Sequence, residues 1–229
     1  MRETYEIWED ERSRELYLEA LSLRCHHDNT ALREPDRARQ YFPMDLPGLP
    51  EPVRLIDGGA FVGDSIEAMV RAGVRIEAVA AFEPDAGNFV QLKDTVTRLE
   101  LAPALLFPCG LLDRAGSARF QSGLGAASGS YGGEESIPMV SLDESLPEFG
   151  PTLIKLDIEG AEPAALAGAR QMITAHSPRL AVCLYHTPEH LWELPRLMKE
   201  LNPSYRLFLR YHGHNGFDLV AYAIPSSDF

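Results

Sequence analysis

Lysine is scarce in this 229-residue chain. Only Lys93, Lys155 and Lys199 are present, and all basic side chains together number 21 against 34 acidic ones, a formal charge of −13. That balance excludes a nucleic-acid backbone or an anionic membrane as the main partner, because phosphates are bound by clustered Lys and Arg. Cysteine is equally sparse. Cys25, Cys109 and Cys183 lie far apart with no C-x-x-C pair, which provides neither a disulfide framework nor zinc-finger spacing and suits a reducing compartment. Long hydrophobic runs are missing too. The longest, such as Leu180–Tyr185, are far short of the roughly 20 residues of a membrane-spanning helix. The opening Met1-Arg-Glu-Thr-Tyr-Glu6 has no apolar stretch of the secretory kind, so a cytoplasmic location is expected. What is present is ordinary for a globular protein: 45% apolar and 24% charged residues, in a length that fits one larger α/β domain.

Residues from about Trp8 to Arg24 have helical spacing, with Leu16, Ala20 and Leu23 on one stripe widened by Tyr17 and Leu21. The stretch Pro43–Pro52 holds four prolines and must be irregular. It separates a helical lead-in, residues 1–50, from a core domain, residues 51–229. The lead-in is too small to bury its own apolar face, so it packs on the core or on another subunit, and a homo-oligomer through that helix is an open expectation. Beyond the linker, β-rich runs (53–57, 76–82, 104–109, 152–157, 180–186) alternate with helical segments (64–72, 85–99, 161–176, 188–201). That alternation predicts an α/β fold with a mostly parallel twisted sheet and helices on both faces. Strands 205–211 and 219–224 share only a short loop, so they should close the sheet as an antiparallel hairpin. The Gly/Ser-rich segment Ser122–Gly133 reads either as a flexible excursion or as an active-site loop that closes on substrate.

Four motifs carry chemistry. Asp57-Gly-Gly-Ala-Phe-Val-Gly-Asp64 sits where a strand hands over to a helix. Glycines there let a ligand approach the backbone, and the helix start offers unpaired N–H groups. Asp57, Gly58, Gly59, Ala60, Gly63 and Asp64 are therefore candidate cofactor residues. The dinucleotide spacing G-x-G-x-x-G is absent. Two flanking carboxylates would repel a pyrophosphate but attract the ammonium and sulfonium of S-adenosylmethionine. Glu83-Pro84 closes the next strand, 20 residues after Gly63, where an acid accepts hydrogen bonds from ribose hydroxyls. The run Leu153–Glu162 puts Asp157 at a strand's end with Glu159 just beyond, and Leu180–His186 ends in Tyr185-His186. Lys155, two residues before Asp157, faces the same side and needs a partner if it is buried.

Taken in order, Ile56–Asp64, Phe82–Asp85, Val140-Ser-Leu-Asp143, Ile154–Glu162, Ala167-Gly-Ala169 and Tyr185-His186 resemble the FkbM-type S-adenosylmethionine-dependent methyltransferases over residues 53–224, with K-x-D-x-E-G the most specific block. The resemblance implies a Rossmann-like methyltransferase fold and transfer of a methyl group to an oxygen of a sugar, polyketide or related small molecule. It also implies cofactor roles for Asp57, Gly59 and Glu83. Phe61 stands where the general methyltransferase motif has glycine, a departure this family shares.

An alcohol acceptor needs a base. His186 is the first candidate because imidazole titrates near neutrality, and Asp157 and Glu159 are the alternatives. A metal is not expected. His186 and His190 lie four apart and His212-Gly-His214 forms a second pair, but neither pair has a matched third ligand, and scattered surface histidines are the plainer reading. Two other readings remain at this stage: an NAD(P)-dependent oxidoreductase on a similar sheet, and a non-catalytic subunit that docks through the N-terminal helix.

Overall fold

The computed structural model describes residues 2–26, 39–121, 135–213 and 217–229. The segment Ser122–Gly133 and the residue His214, both singled out above, lie outside the described residues. The chain divides into two compact units, one of Leu49–Pro178 and the other of Met1–Gly48 with Arg179–Phe229. The first break falls within the proline-rich stretch.

The chain starts with α1 (Arg2–Glu6) and α2 (Glu11–His26). The second helix begins later than its apolar spacing predicts. Trp8 instead forms a parallel bridge to Leu207 and is fully buried. Asp10 then accepts a hydrogen bond from the Ser13 N–H at 2.8 Å, satisfying a first-turn donor and so setting the helix start.

Within Leu49–Pro178 come β1 (Val53–Gly58), α3 (Asp64–Arg71), β2 (Ile76–Phe82), α4 (Ala86–Arg98) and β3 (Ala104–Phe107). Three short strands follow, β4 (Gly110–Leu111), β5 (Gly116–Phe120) and β6 (Glu135–Val140), then α5 (Leu142–Ser145) and β7 (Leu153–Leu156). Strands β3-β2-β1-β7 lie side by side in that order, every pair parallel. Leu55, Ile56, Val79, Ala80 and Ile154 are fully buried, the continuous apolar pattern of strands covered on both faces.

Strands β4, β6 and β5 form a small separate sheet around Phe120, Ile137 and Met139. The sequence does not announce it. Gly110, Gly116 and Pro138 interrupt these strands, and β5 is largely exposed, so the period-two signal is weak.

The helix expected over 161–176 is two helices, α6 (Glu162–Ala167) and α7 (Arg170–His176). At the break, a Cβ on Gly168 would lie 2.2 Å from the Leu112 carbonyl oxygen, so only glycine fits. The Asp143 carboxylate accepts from Gln171 N–H and Met172 N–H, each at 2.9 Å, and so caps α7. Asp143 N–H in turn donates to Gly168 O at 2.8 Å. The Val-Ser-Leu-Asp and Ala-Gly-Ala motifs therefore meet each other.

The other unit contains β8 (Arg179–Cys183), α8 (His190–Leu201), β9 (Tyr205–Tyr211) and β10 (Leu219–Pro225). β9 and β10 pair antiparallel from Tyr205↔Pro225 to Tyr211↔Leu219, the hairpin expected from the short loop. β10 also pairs antiparallel with β8. The fold is mixed α/β with a mostly parallel central sheet, as the alternation predicts.

The lead-in docks on β9. Glu9 N–H donates to Leu207 O at 2.8 Å, and Ser13 Oγ accepts from Leu209 N–H at 2.8 Å. Arg210, whose side chain is 3% exposed, clamps the joint through Asp10 at 2.6 Å, Asp45 at 2.7 Å and Ser13 Oγ at 3.0 Å. Burial would raise the Asp10 carboxyl, but the hydrogen bonds from Arg210 and Ser13 outweigh it and hold it below its ordinary value. A depressed carboxyl contributes stability above its unfolded pKa of about 3.9 and loses it as pH falls through the folded value. Asp10→Asn should therefore lower stability at pH 6 and flatten the decline of the urea midpoint between pH 5 and 2. An unchanged slope would show that the clamp does not depend on ionised Asp10.

Candidate functional site

The sequence concentrates its candidate residues at the carboxyl ends of β1, β2 and β7, and the fold of Leu49–Pro178 brings these ends side by side. At the centre stands Asp57, fully buried at the end of β1. Its partner in register on β7 is Lys155, and Nζ lies 2.9 Å from Asp57 Oδ1. The same ammonium donates to Gly59 O at 2.5 Å. Burial pushes the Asp57 carboxyl above its ordinary range, Lys155 opposes that, and the nearby charges of Asp64 and Asp157 add to the rise. Lys155 thus has the partner its position demands, and Asp57 acts on the turn through that lysine.

The turn after β1 is folded tightly. Gly59, Phe61 and Gly63 all take left-handed backbone conformations, with φ of 72°, 48° and 82°. A Cβ on Gly59 would lie 1.9 Å from Asp157 O, so β7's continuation can approach β1 only over glycine. Gly58 is nearly as confined, since a Cβ there would meet methyls of Leu156 and Leu111 at 2.8 and 2.9 Å. Gly59 and Ala60 N–H both donate to Phe82 O at 3.0 Å. Phe61, a non-glycine in a conformation that costs L-residues roughly 1–2 kcal/mol, donates its N–H to Glu83 Oε2 at 2.8 Å.

Glu83 is buried at the end of β2. Its other oxygen accepts from Asp85 N–H at 2.9 Å and from Asn88 Nδ2 at 3.4 Å. Burial raises the Glu83 carboxyl, while these donors hold it down in part. Pro84 is half-buried beside it, and Asp85 caps α4 by accepting from Gly87 and Asn88 N–H at 2.9 and 3.0 Å. Asp64 is exposed in the first turn of α3, whose N-cap is Gly63, and that helix start has no side-chain cap. Capping is therefore not what Asp64 is for.

Beyond β7, Asp157 donates its N–H to Gly58 O at 3.1 Å and is half-buried. Glu159 takes a left-handed conformation, φ 55°, followed by Gly160 at φ 103°. Strained backbone of this kind persists where the surroundings enforce it. Here Glu162, fully buried in the first turn of α6, accepts from Ile158 N–H at 2.9 Å. Sequence reasoning gave Glu162 no role; an acid four residues past Ile158 at a helix start was the available signal. His186 follows β8 in the other unit, half-buried, with the Tyr185 ring centroid 4.2 Å away. His190 is 3% exposed, so it is not a surface histidine. The Cys109 thiol, pushed up to about 11 by burial, is a poor nucleophile at neutral pH.

The family model of the methyltransferase FkbM domain matches residues 57–215, more than half the chain. The chain belongs to the FkbM methyltransferase family. That membership sets aside the nicotinamide oxidoreductase reading. Among solved structures, an FkbM methyltransferase from Methylobacillus flagellatus KT is 23% identical with a TM-score of 0.84, the match covering 97% of this chain and 57% of that one. The FkbM chain described here thus spans a little over half the length of that relative. A candidate rRNA-methylase from Clostridium thermocellum shares the fold more distantly, at 9% identity and a TM-score of 0.50 over 85% of this chain and 97% of that one. No curated protein matches by sequence. Among the described residues, no helix is long and apolar enough to cross a membrane.

Two variants test the build of this edge. Breaking a buried ion pair from one side typically costs about 3–5 kcal/mol, whereas replacing both partners by apolar groups can be nearly neutral. Asp57→Leu and Lys155→Met should each destabilise strongly in urea, and the double variant should recover most of the loss. Additive losses would refute the coupling. Gly59→Ala should fail to accumulate as folded protein, because the clash is with backbone and no side chain can move aside.

Proposed function

We propose that this chain is an S-adenosylmethionine-dependent O-methyltransferase acting on a hydroxyl of a small molecule such as a sugar, a polyketide or another natural product. The observation that carries this reading is the company around the glycine turn. Glu83, Asp64 and Asp157 border it with Lys155 already committed to Asp57, and α3 starts there without a side-chain cap. Such an edge attracts a cationic ligand, and the open helix start suits that ligand's carboxylate. The residues therefore fit S-adenosylmethionine and disfavour a pyrophosphate.

When bound, S-adenosylmethionine supplies an electrophilic methyl group on a sulfonium. The protein's part is to hold and orient. Glu83 retains acceptor capacity for ribose hydroxyls while it clamps Phe61. Asp64 and Asp157 favour the ammonium and sulfonium charges. The glycines give the ligand access to backbone. The acceptor's proton passes to a base, for which the candidates are His186, an imidazole, and the carboxylates Asp157 and Glu159.

Calorimetry tests the cofactor. S-adenosylhomocysteine should bind the wild type and NAD should not, and Glu83→Gln should weaken binding about 10- to 150-fold, the range for losing a hydrogen bond to a charged group. Binding of NAD alone would overturn the proposal. For the base, His186→Ala should lower turnover about 10²- to 10⁴-fold with S-adenosylhomocysteine affinity near wild type. Ordinary turnover in that variant passes the role to Asp157 or Glu159, to be separated by Asp157→Asn and Glu159→Gln. A folded chain that binds cofactor and turns over no acceptor in any hydroxyl library would be a non-catalytic subunit.

A further inference from the structure

We propose that His186 and His190 bind a divalent transition-metal ion. The two belong to one unit, and the fold brings together what the His-x-x-x-His spacing only suggests: a ring nitrogen of His186 lies within 4.8 Å of one on His190. Two imidazole nitrogens on one tetrahedral ion stand about 3.3 Å apart, given nitrogen–metal bonds of about 2.0–2.1 Å. His190 is the first residue of α8 and is 3% exposed, so its ring is held in place by packing. His186 is backed by the Tyr185 ring, and the Arg24 guanidinium donates to Tyr185 O, which ties the loop between β8 and α8 to α2.

The chemistry of the pair points the same way. Two imidazoles this close repel each other when both are protonated, and the neutral pair is a donor set for zinc, cobalt, nickel or copper. Two nitrogen ligands fill two of the four positions of a tetrahedral ion, and the others take oxygen donors. Resting on the methyltransferase reading, those positions would take hydroxyl oxygens of the acceptor, whose acidity a bound cation raises. His186 would then be a ligand. Binding of the ion itself does not depend on that reading.

The test uses untagged protein stripped with EDTA and titrated with zinc or cobalt ion in the absence of any cofactor or acceptor. One equivalent should bind, and cobalt should show the d–d absorption of a nitrogen-ligated site. His186→Asn and His190→Gln should each weaken binding by more than the roughly 10- to 100-fold that follows loss of an outer-shell partner. His176→Ala, an exposed histidine elsewhere, should leave it unchanged. Far-UV circular dichroism and thermal melts confirm that each variant is folded, with His186→Asn as the second reporter should His190→Gln unfold. No binding, or binding that His186→Asn leaves at wild-type strength, overturns the proposal. Titration of the same stripped protein with S-adenosylhomocysteine reads the cofactor site separately, so failure of one reading does not mask the other.

Discussion

Everything at the candidate edge depends on one buried ion pair. Asp57 and Lys155 face each other in register on β1 and β7, at 0% and 3% side-chain exposure and 2.9 Å apart. Two charges removed from water rarely add net stability over a well-packed apolar pair, because desolvation offsets most of their attraction. Their value lies in geometry. A lysine ammonium has three donors, and this one spends two of its directions on Asp57 and on Gly59 O. It thereby sets where the glycine turn begins, and it cancels one negative charge in a region that otherwise holds Asp64, Asp157 and Glu83.

The remaining acids at that edge divide their duties in a way that follows from backbone strain. Left-handed residues recur on both sides of the β1–β7 seam, at Gly59, Phe61 and Gly63 on one side and at Glu159 and Gly160 on the other. Each strained turn is held by a carboxylate further along the chain. Glu83 takes the Phe61 N–H, and Glu162 takes the Ile158 N–H. The density of acids is thus partly architectural: some carboxylates hold the turns.

The order of strands and helices was legible because parallel strands buried on both faces are continuous apolar runs, such as Ile76–Phe82, between amphipathic helices. So were the strand-end positions of Asp57, Glu83 and Asp157. What stayed hidden depends on contacts between distant residues. The break at Gly168 is invisible in the helical pattern, since it comes from the Leu112 carbonyl pressing on the backbone and from Asp143 capping the second helix. The small sheet of β4, β5 and β6 is hidden because glycine and proline blunt its alternation. Lys155 shows how far local reading reaches. Its place mid-strand says that it needs a partner, and only the register across two strands says that the partner is Asp57.

Phe61 shows how a departure from a common motif redistributes work. A glycine at that position would reach the left-handed region at no steric cost and would need no clamp. Phenylalanine there, at φ 48°, is strained, and its N–H is held by Glu83 at 2.8 Å. The acid that closes β2 therefore has a turn to maintain. Its two oxygens divide accordingly, Oε2 toward Phe61 and Oε1 toward Asp85 and Asn88. A carboxylate has lone pairs beyond those three contacts, so a ligand hydroxyl can be accommodated without releasing the turn. The consequence is coupling: under the proposed cofactor role of Glu83, the shape of the glycine turn and ligand binding would run through the same side chain. A glycine at position 61 would relieve the strain while keeping the N–H that Glu83 accepts.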